Sequence, residues 1–161
     1  MKKSSKGFSL IELLIVVAII LIIAAIAIPN LLRSRIAANQ ASAVGSLRTL
    51  NTAEITYSST YNVGFTATMS YLAPPATAGA NPTSLAAGLI DSVLAAGTKS
   101  GYSFTYSAGA ADSTGRINTY GINGSPITSS TGTNFYYTDQ SGVIRQNSTV
   151  AAASTDSPIA G

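Results

Sequence analysis

An uninterrupted apolar segment near the N-terminus limits what this chain can fold into. Residues 13–28 contain no polar side chain and comprise twelve Leu, Ile or Val residues and four Ala. Twelve large aliphatic residues favour membrane insertion by roughly 5 kcal/mol, against about 3 kcal/mol for the one carboxylate, Glu12. A helix from Phe8 to Ile28 would be about 31 Å long, close to the thickness of a bilayer's hydrocarbon core. We therefore expect residues 8–29 to span a membrane.

The residues before this segment are polar and basic. Three of the nine basic side chains lie within residues 1–7, and the formal net charge is +3. Without these residues six basic and six acidic side chains remain. The basicity therefore belongs to a leader and does not indicate nucleic-acid binding. The lysines favour a cytoplasmic N-terminus, a bias that Arg33 and Arg35 on the far side weaken.

Helical periodicity continues after the apolar segment. Pro29 removes one helical hydrogen bond and predicts a kink. Beyond it, four apolar residues recur every seven positions: Ile36, Ala43, Leu50 and Tyr57. This spacing gives a helix one buried face. We predict one helix over residues 8–61, with an amphipathic half at residues 30–61.

Residues 62–100 are predicted to connect this helix with a sheet. Prolines in this region indicate turns. Thr83 or Ser84 is suited to cap a short helix over residues 85–94, which Gly97 would end.

Residues 101–147 change to a period of two, which is typical of strands. Four strands are predicted, at residues 102–107, 117–122, 135–138 and 143–146. The expected fold class is α+β: a long N-terminal helix, apolar and then amphipathic, packed on a small four-stranded antiparallel sheet. Residues 148–161 are rich in Ser, Thr and Ala without periodicity, and we expect a flexible tail there.

The composition argues against catalysis. The chain has no His, no Cys and only six acidic residues. Imidazole and thiolate chemistry are excluded, as are His/Cys metal sites and disulfides. We expect no enzyme activity, no metal and no cofactor.

The most informative motif is the heptapeptide Lys-Gly-Phe-Ser-Leu-Ile-Glu at residues 6–12. A basic leader ends in Gly7, Phe8 follows, and Glu12 stands inside the apolar segment, which Ile28-Pro29 closes. This pattern resembles the type IV pilin superfamily, including the pseudopilins of type II secretion.

The resemblance implies a role for each of these residues. The Gly7–Phe8 bond would be cut by a membrane prepilin peptidase, which would also N-methylate Phe8. Glu12 would pair with the Phe8 amine of a neighbouring subunit. The chain would begin as a single-pass inner-membrane precursor and pass through a pilus assembly platform into an extracellular helical homopolymer. Motility, adhesion and DNA uptake all use such subunits.

Elementary electrostatics is consistent with this pairing. A carboxylate in hydrocarbon is costly unless it has a partner, and cleavage creates a positive charge at Phe8, one helical turn from Glu12. The amine could belong to the same subunit or to a neighbour. Between staggered subunits the pair favours one axial offset, because a misplaced helix leaves both charges buried and unpaired.

Four alternatives remain open at this point. The chain could be a pseudopilin of a secretion system. Ala25-Ile26-Ala27 also fits a secretory cleavage site, which would release a domain starting at Ile28. Finally, Glu12 could be an incidental polar residue, and Pro29 could simply end the span.

Two other positions bear on the resemblance. Leu21 stands where the family usually has Gly, which bears on how readily the helix melts during assembly. Asp139 is similar to an acid in the calcium loops of some pseudopilins, but one carboxylate is too few for a calcium site, and a turn is the better interpretation.

Overall fold

The computed structural model describes residues 7–159, so most of the predicted leader lies outside the described residues. The chain divides between Arg35 and Ile36 into two compact units. Helix α1, Leu10–Tyr61, contributes 52 residues and contains Pro29. The single long helix predicted from the sequence is confirmed.

In the first unit, helix α1 presents its apolar side chains outward. All of residues 7–35 except Ala24 are exposed. By length and composition this helix can cross a membrane, with a mean hydropathy of 3.3 over its most apolar window. Exposed Leu, Ile and Val at this density are unusual on a soluble surface and indicate a surface that is covered in use.

In the second unit, the remaining part of α1 buries one face. The fully or nearly fully buried members are Ala43, Ser46, Leu47, Leu50, Asn51, Ala53, Glu54 and Tyr57. The predicted seven-residue spacing is confirmed at the three apolar positions from 43 to 57, whereas Ile36 is only half-buried. Ser46, Asn51 and Glu54 were not expected on this face, and each is polar.

Five antiparallel strands in sequential order form the sheet of the second unit. They are β1 Thr98–Lys99, β2 Tyr102–Ala108, β3 Tyr120–Pro126, β4 Phe135–Asp139 and β5 Arg145–Asn147. Alternate side chains of β2 to β4 join the buried face of α1 in one core, among them Tyr102, Phe104, Ile122 and Tyr136. The α+β class is confirmed.

The predicted number of four strands is wrong. Strand β1 was missed because two residues are too few to show a period, and it pairs Thr98 with Ser103. Strand β3 starts at Tyr120, later than predicted. Its second half includes Gly124 and Pro126, residue types that are depleted in strands, so the pattern did not reveal it. Ile117 forms only isolated bridges.

The helix predicted over residues 85–94 is also wrong. A 3₁₀ helix lies at Met69–Leu72, and helix α2 covers only Ser92–Ala95. The cap of α2 is Asp91, whose carboxylate accepts a hydrogen bond from the Leu94 amide at 2.9 Å. Thr83 exchanges backbone hydrogen bonds with Ala86 and so closes a turn instead of capping a helix. Gly97 follows α2 with φ +82°, as expected of a residue that ends a helix.

The C-terminal segment differs from the loose tail predicted from composition. The Ile159 amide donates to the Ile144 carbonyl at 2.9 Å, and the Gln146 amide donates to the Ser157 carbonyl at 3.0 Å. The Arg145 guanidinium also donates to the Asp156 carbonyl at 2.9 Å. These bonds fasten the segment to β5. The difference arises from specific hydrogen-bond donors and acceptors in the tail. Amino-acid composition alone does not predict such bonds.

Candidate processing and assembly site

Gly7 lies in an irregular stretch, residues 7–9, directly before helix α1. A Cβ added at Gly7 would meet no heavy atom within 4 Å, and its φ lies outside the left-handed region. The described fold therefore gives no steric or conformational reason for glycine here. A requirement imposed by another molecule would account for it.

Phe8 is 80% exposed and has no place in the core of either unit. The Gly7–Phe8 bond lies outside the helix, where the backbone is not held by helical hydrogen bonds. This bond is therefore exposed and is not protected by helical structure.

Ser9 and Glu12 form a reciprocal cap at the start of α1. The Ser9 amide donates to Glu12 Oε2 at 2.8 Å. The Ser9 hydroxyl accepts a hydrogen bond from the Ile11 amide at 3.3 Å. Two of the free N–H groups at the helix start are thus satisfied by side chains. The Ser-x-x-Glu signature before an apolar run was readable in the sequence, and our sequence reading missed it.

The cap holds the Glu12 carboxylate beside the backbone that cleavage would alter. Cutting the Gly7–Phe8 bond leaves the Ser9 amide intact, because that amide joins Phe8 to Ser9. The new ammonium group on Phe8 would be separated from the Ser9 nitrogen by only two backbone atoms. A carboxylate already bound to Ser9 therefore lies close to the place where the positive charge forms.

Pro29 lies inside α1 and away from its start, so it does not join the other three predicted site residues. A proline has no N–H to donate to the carbonyl four residues earlier, which here is that of Ala25. Residues 25–27, the alternative cleavage site, lie within the same helix.

Within residues 7–159, no group of three or more His, Cys, Asp or Glu side chains is placed to hold a metal ion. Asp139 accepts a hydrogen bond from the Ser141 amide at 2.9 Å, and its carbonyl accepts one from the Gly142 amide at 2.9 Å. Gly142 has φ +74°. Asp139, the last residue of β4, thus begins the turn to β5, as its sequence context predicts.

Comparisons with known proteins agree on the N-terminal segment. A family model described as "Prokaryotic N-terminal methylation motif" matches residues 2–28. The chain is 65% identical over 37 residues to the type IV wide pilus major component PilA4 of Thermus thermophilus, which covers 23% of this chain and 28% of that protein. It is 52% identical over 50 residues to the type IV major pilin protein PilA of Myxococcus xanthus, covering 31% of this chain and 23% of that one.

The chain thus matches about a quarter of the length of each of these relatives. No solved structure matches it significantly. The matched family model spans the segment that carries Gly7, Phe8 and Glu12. On this N-terminal segment, the chain is similar to the type IV pilins and prepilins.

Proposed function

We propose that this chain is a structural subunit of a type IV pilus, made as an inner-membrane precursor and polymerised through the first part of α1. The observation that carries the proposal is the N-terminal segment itself: an accessible Gly7–Phe8 bond, a capped acid at Glu12, and an apolar helix with no partner in its own unit. Both curated relatives named above are type IV pilus components, which favours a pilus over a secretion pseudopilus.

In this proposal a prepilin peptidase cuts the Gly7–Phe8 bond and methylates the new N-terminus. The accessible, irregular backbone at residues 7–9 supports the cut, and the absence of a local steric reason for glycine supports recognition by the peptidase. The alternative cut after Ala27 requires the middle of α1 to unwind, so the geometry supports it less.

Polymerisation then buries the exposed aliphatic surface of α1. Side chains such as Leu10 (77% exposed), Ile11 (67%) and Leu21 (63%) lose contact with lipid and gain contact with neighbouring helices. Such packing is non-directional, so it does not by itself select an axial offset. A pair between Glu12 and the Phe8 ammonium group of a neighbour ties the two helices to one axial offset, because a contact between subunits forms only at that offset.

The second unit then lies on the filament surface. Its core is complete without a partner, since Leu47, Leu50 and Ile122 are fully buried. Its charged side chains are few, and many of its exposed residues are Ser, Thr or Asn. The unit can thus face water while the apolar part of α1 is enclosed.

Isolation of surface fibres tests this proposal. Fibres sheared from cells should contain this chain as their main protein and should carry a matching antibody label along their length in electron microscopy. A strain lacking the chain should lose these fibres and regain them on complementation. Fibres that lack the chain, with the chain confined to the membrane or the medium, would contradict the proposal.

A glycine substitution pair tests the processing step. Gly7→Val should accumulate uncleaved precursor in the membrane. Gly45→Ala is a matched control, because Gly45 also has open space around its Cβ position and is exposed. Normal processing of both variants would contradict the assignment of the cleavage site.

A further inference from the structure

The stretch of α1 that follows the apolar segment is cationic. Arg33 and Arg35 are exposed. Within residues 7–159 the one ion pair joins Lys99 and Asp91, so neither arginine is paired with a carboxylate. Between Glu12 and Glu54 the sequence contains no acidic residue. The positive charge on this stretch is therefore not neutralised by its own helix.

Exposed aliphatic side chains precede these arginines along α1 and lie beside Arg35. Ile28 is 65% exposed, Leu31 is 71% exposed and Leu32 is 44% exposed. Together with Arg35 they line a shallow, mainly apolar concavity on the helix surface. An apolar surface that ends in a guanidinium group matches a ligand with an acyl chain and an anionic head.

The position of the arginines along the helix suggests which ligand that is. At about 1.5 Å per residue, Arg33 lies about 8 Å and Arg35 about 11 Å beyond Ile28. The polar layer on each side of a bilayer is roughly 5–8 Å thick, beyond a hydrocarbon core of about 30 Å. Arginine side chains bend toward the nearest polar layer when their stems lie on apolar surface. Both guanidinium groups therefore reach lipid phosphates if Ile28 marks the edge of the hydrocarbon.

We propose that in the membrane-anchored chain Arg33 and Arg35 bind phosphate groups of anionic phospholipids in the leaflet away from the N-terminus, and so fix the depth of the helix. This inference rests on the membrane anchoring in the proposed function. A guanidinium group suits a phosphate because it presents a planar fork of N–H donors. Arg33 and Arg35 project from nearly opposite sides of the helix, about 200° apart at 100° per residue, so two lipids are engaged.

The α1 helix of a second copy offers a poorer partner for these arginines. The corresponding stretch of its α1 contains no carboxylate. Its Glu54 is fully buried and bound to Thr66. Phospholipid phosphate, in contrast, is abundant at this depth of a membrane.

Solid-state NMR tests the contact directly. The full chain, labelled with carbon-13 at the arginine guanidinium carbon, is reconstituted into vesicles of phosphatidylglycerol in phosphate-free buffer. Because all phosphorus then belongs to lipid, dephasing of the guanidinium signal by phosphorus-31 reports arginine–headgroup contact. The same chain in a phosphorus-free detergent with added inorganic phosphate shows whether free phosphate alone is bound.

Two variants identify the arginines responsible. Arg33→Gln/Arg35→Gln should lose the dephasing almost completely. Arg48→Gln should retain it, because Arg48 is also exposed but belongs to the second unit. Equal loss of dephasing in the double variant and in Arg48→Gln overturns the inference. Dephasing in detergent with inorganic phosphate that is as strong as dephasing in vesicles also overturns it.

Extraction with alkaline carbonate separates failure of this inference from failure of membrane anchoring. A chain that resists extraction but shows no dephasing overturns the lipid contact and leaves the anchoring intact; that is the result expected if the arginines pair with another copy. A chain that carbonate extracts from the vesicles overturns both.

Discussion

The backbone amide of Ser9 donates a hydrogen bond to the carboxylate of Glu12 at 2.8 Å. The acid proposed to pair with an ammonium group during assembly is therefore already engaged at the start of its own helix. The donor is the amide of Ser9, the residue that follows Phe8, and the ammonium group would form on Phe8. Capping and charge pairing are two separate roles of one side chain, and different substitutions distinguish them.

Replacing Glu12 with Gln and with Ala separates these roles. Glu12→Gln keeps an acceptor for the Ser9 amide but removes the charge, whereas Glu12→Ala removes both, at a capping cost of about 1 kcal/mol. We expect both variants to insert into the membrane and both to yield far fewer fibres than the wild type. The measurement is the fraction of total cellular chain recovered in sheared fibres. Normal assembly of Glu12→Gln would show that the cap, and not the charge, is what assembly needs.

Pro29 is predicted to bend the helix in which it lies. Pro29→Ala restores a donor for the Ala25 carbonyl and removes a penalty of about 3 kcal/mol relative to Ala. Because the chain has no cysteine, spin labels attached at Ala18→Cys and Arg35→Cys report on this part of α1 alone. The distance between the labels should increase in Pro29→Ala. An unchanged distance would mean that Pro29 lies in an unbent helix.

Glu54 makes the stability of the folded chain depend on pH. Its side chain is fully buried, and its two oxygens accept hydrogen bonds from the Thr66 hydroxyl at 2.6 Å and the Thr66 amide at 3.0 Å. Desolvation raises the pKa of Glu54 above its ordinary value of 4.5, although the bonds from Thr66 oppose the shift. The folded chain therefore binds more protons than the unfolded chain between 4.5 and the raised pKa, so stability falls as pH rises through that window.

Thermal unfolding of the detergent-solubilised full chain between pH 5 and pH 8 tests this dependence. The melting temperature of the wild type should fall with rising pH, and that of Glu54→Gln should stay flat. Asp112 does not interfere, because hydrogen bonds led by those from Thr114 and Asn118 lower its pKa, and its contribution is lost only as pH falls below this range. If the melting temperature of Glu54→Gln falls with pH as steeply as that of the wild type, another group causes the dependence.

Asn51 joins the helix to the sheet through a buried hydrogen-bond network. Its amide nitrogen donates to the Thr138 hydroxyl at 2.8 Å, and its amide oxygen accepts from the Tyr120 hydroxyl at 3.0 Å. Asn51→Ala leaves both hydroxyls buried without this partner and should cost about 2–4 kcal/mol of unfolding free energy. Thr52→Ala is the control, since Thr52 is exposed and its hydroxyl bonds only to its own helix at Arg48. Equal melting temperatures for the two variants would mean that the network contributes little.

The apolar pattern of α1 and the turn at Asp139 were predictable from sequence. A continuous apolar run and a seven-residue spacing depend only on local pattern, so α1 and its buried apolar positions were predicted. The turn at Asp139 followed from its residue types. The buried Asn51 and Glu54 were not predictable, because a polar residue on a helix normally faces water, and their partners Thr66, Tyr120 and Thr138 are distant in sequence.

The residues of the candidate site are also identified by a local sequence pattern. Gly7, Phe8 and Glu12 follow from a local motif, and the structure adds that Glu12 caps its own helix. That cap also corresponds to a local pattern, Ser-x-x-Glu, at residues 9–12. The short strand β1 and the bonds between Asp156 and β5 depend on contacts between separate segments, which local patterns do not contain.

The N-terminus of the mature protein tests the account most directly. Intact-mass analysis and N-terminal fragmentation of the chain from purified fibres should show a protein that begins at Phe8 and carries one extra methyl group on its α-amine. A mature chain that retains Lys6 and Gly7, or one that begins at Ile28, would contradict the account, because Glu12 would then have no new ammonium group to pair with or would itself be absent.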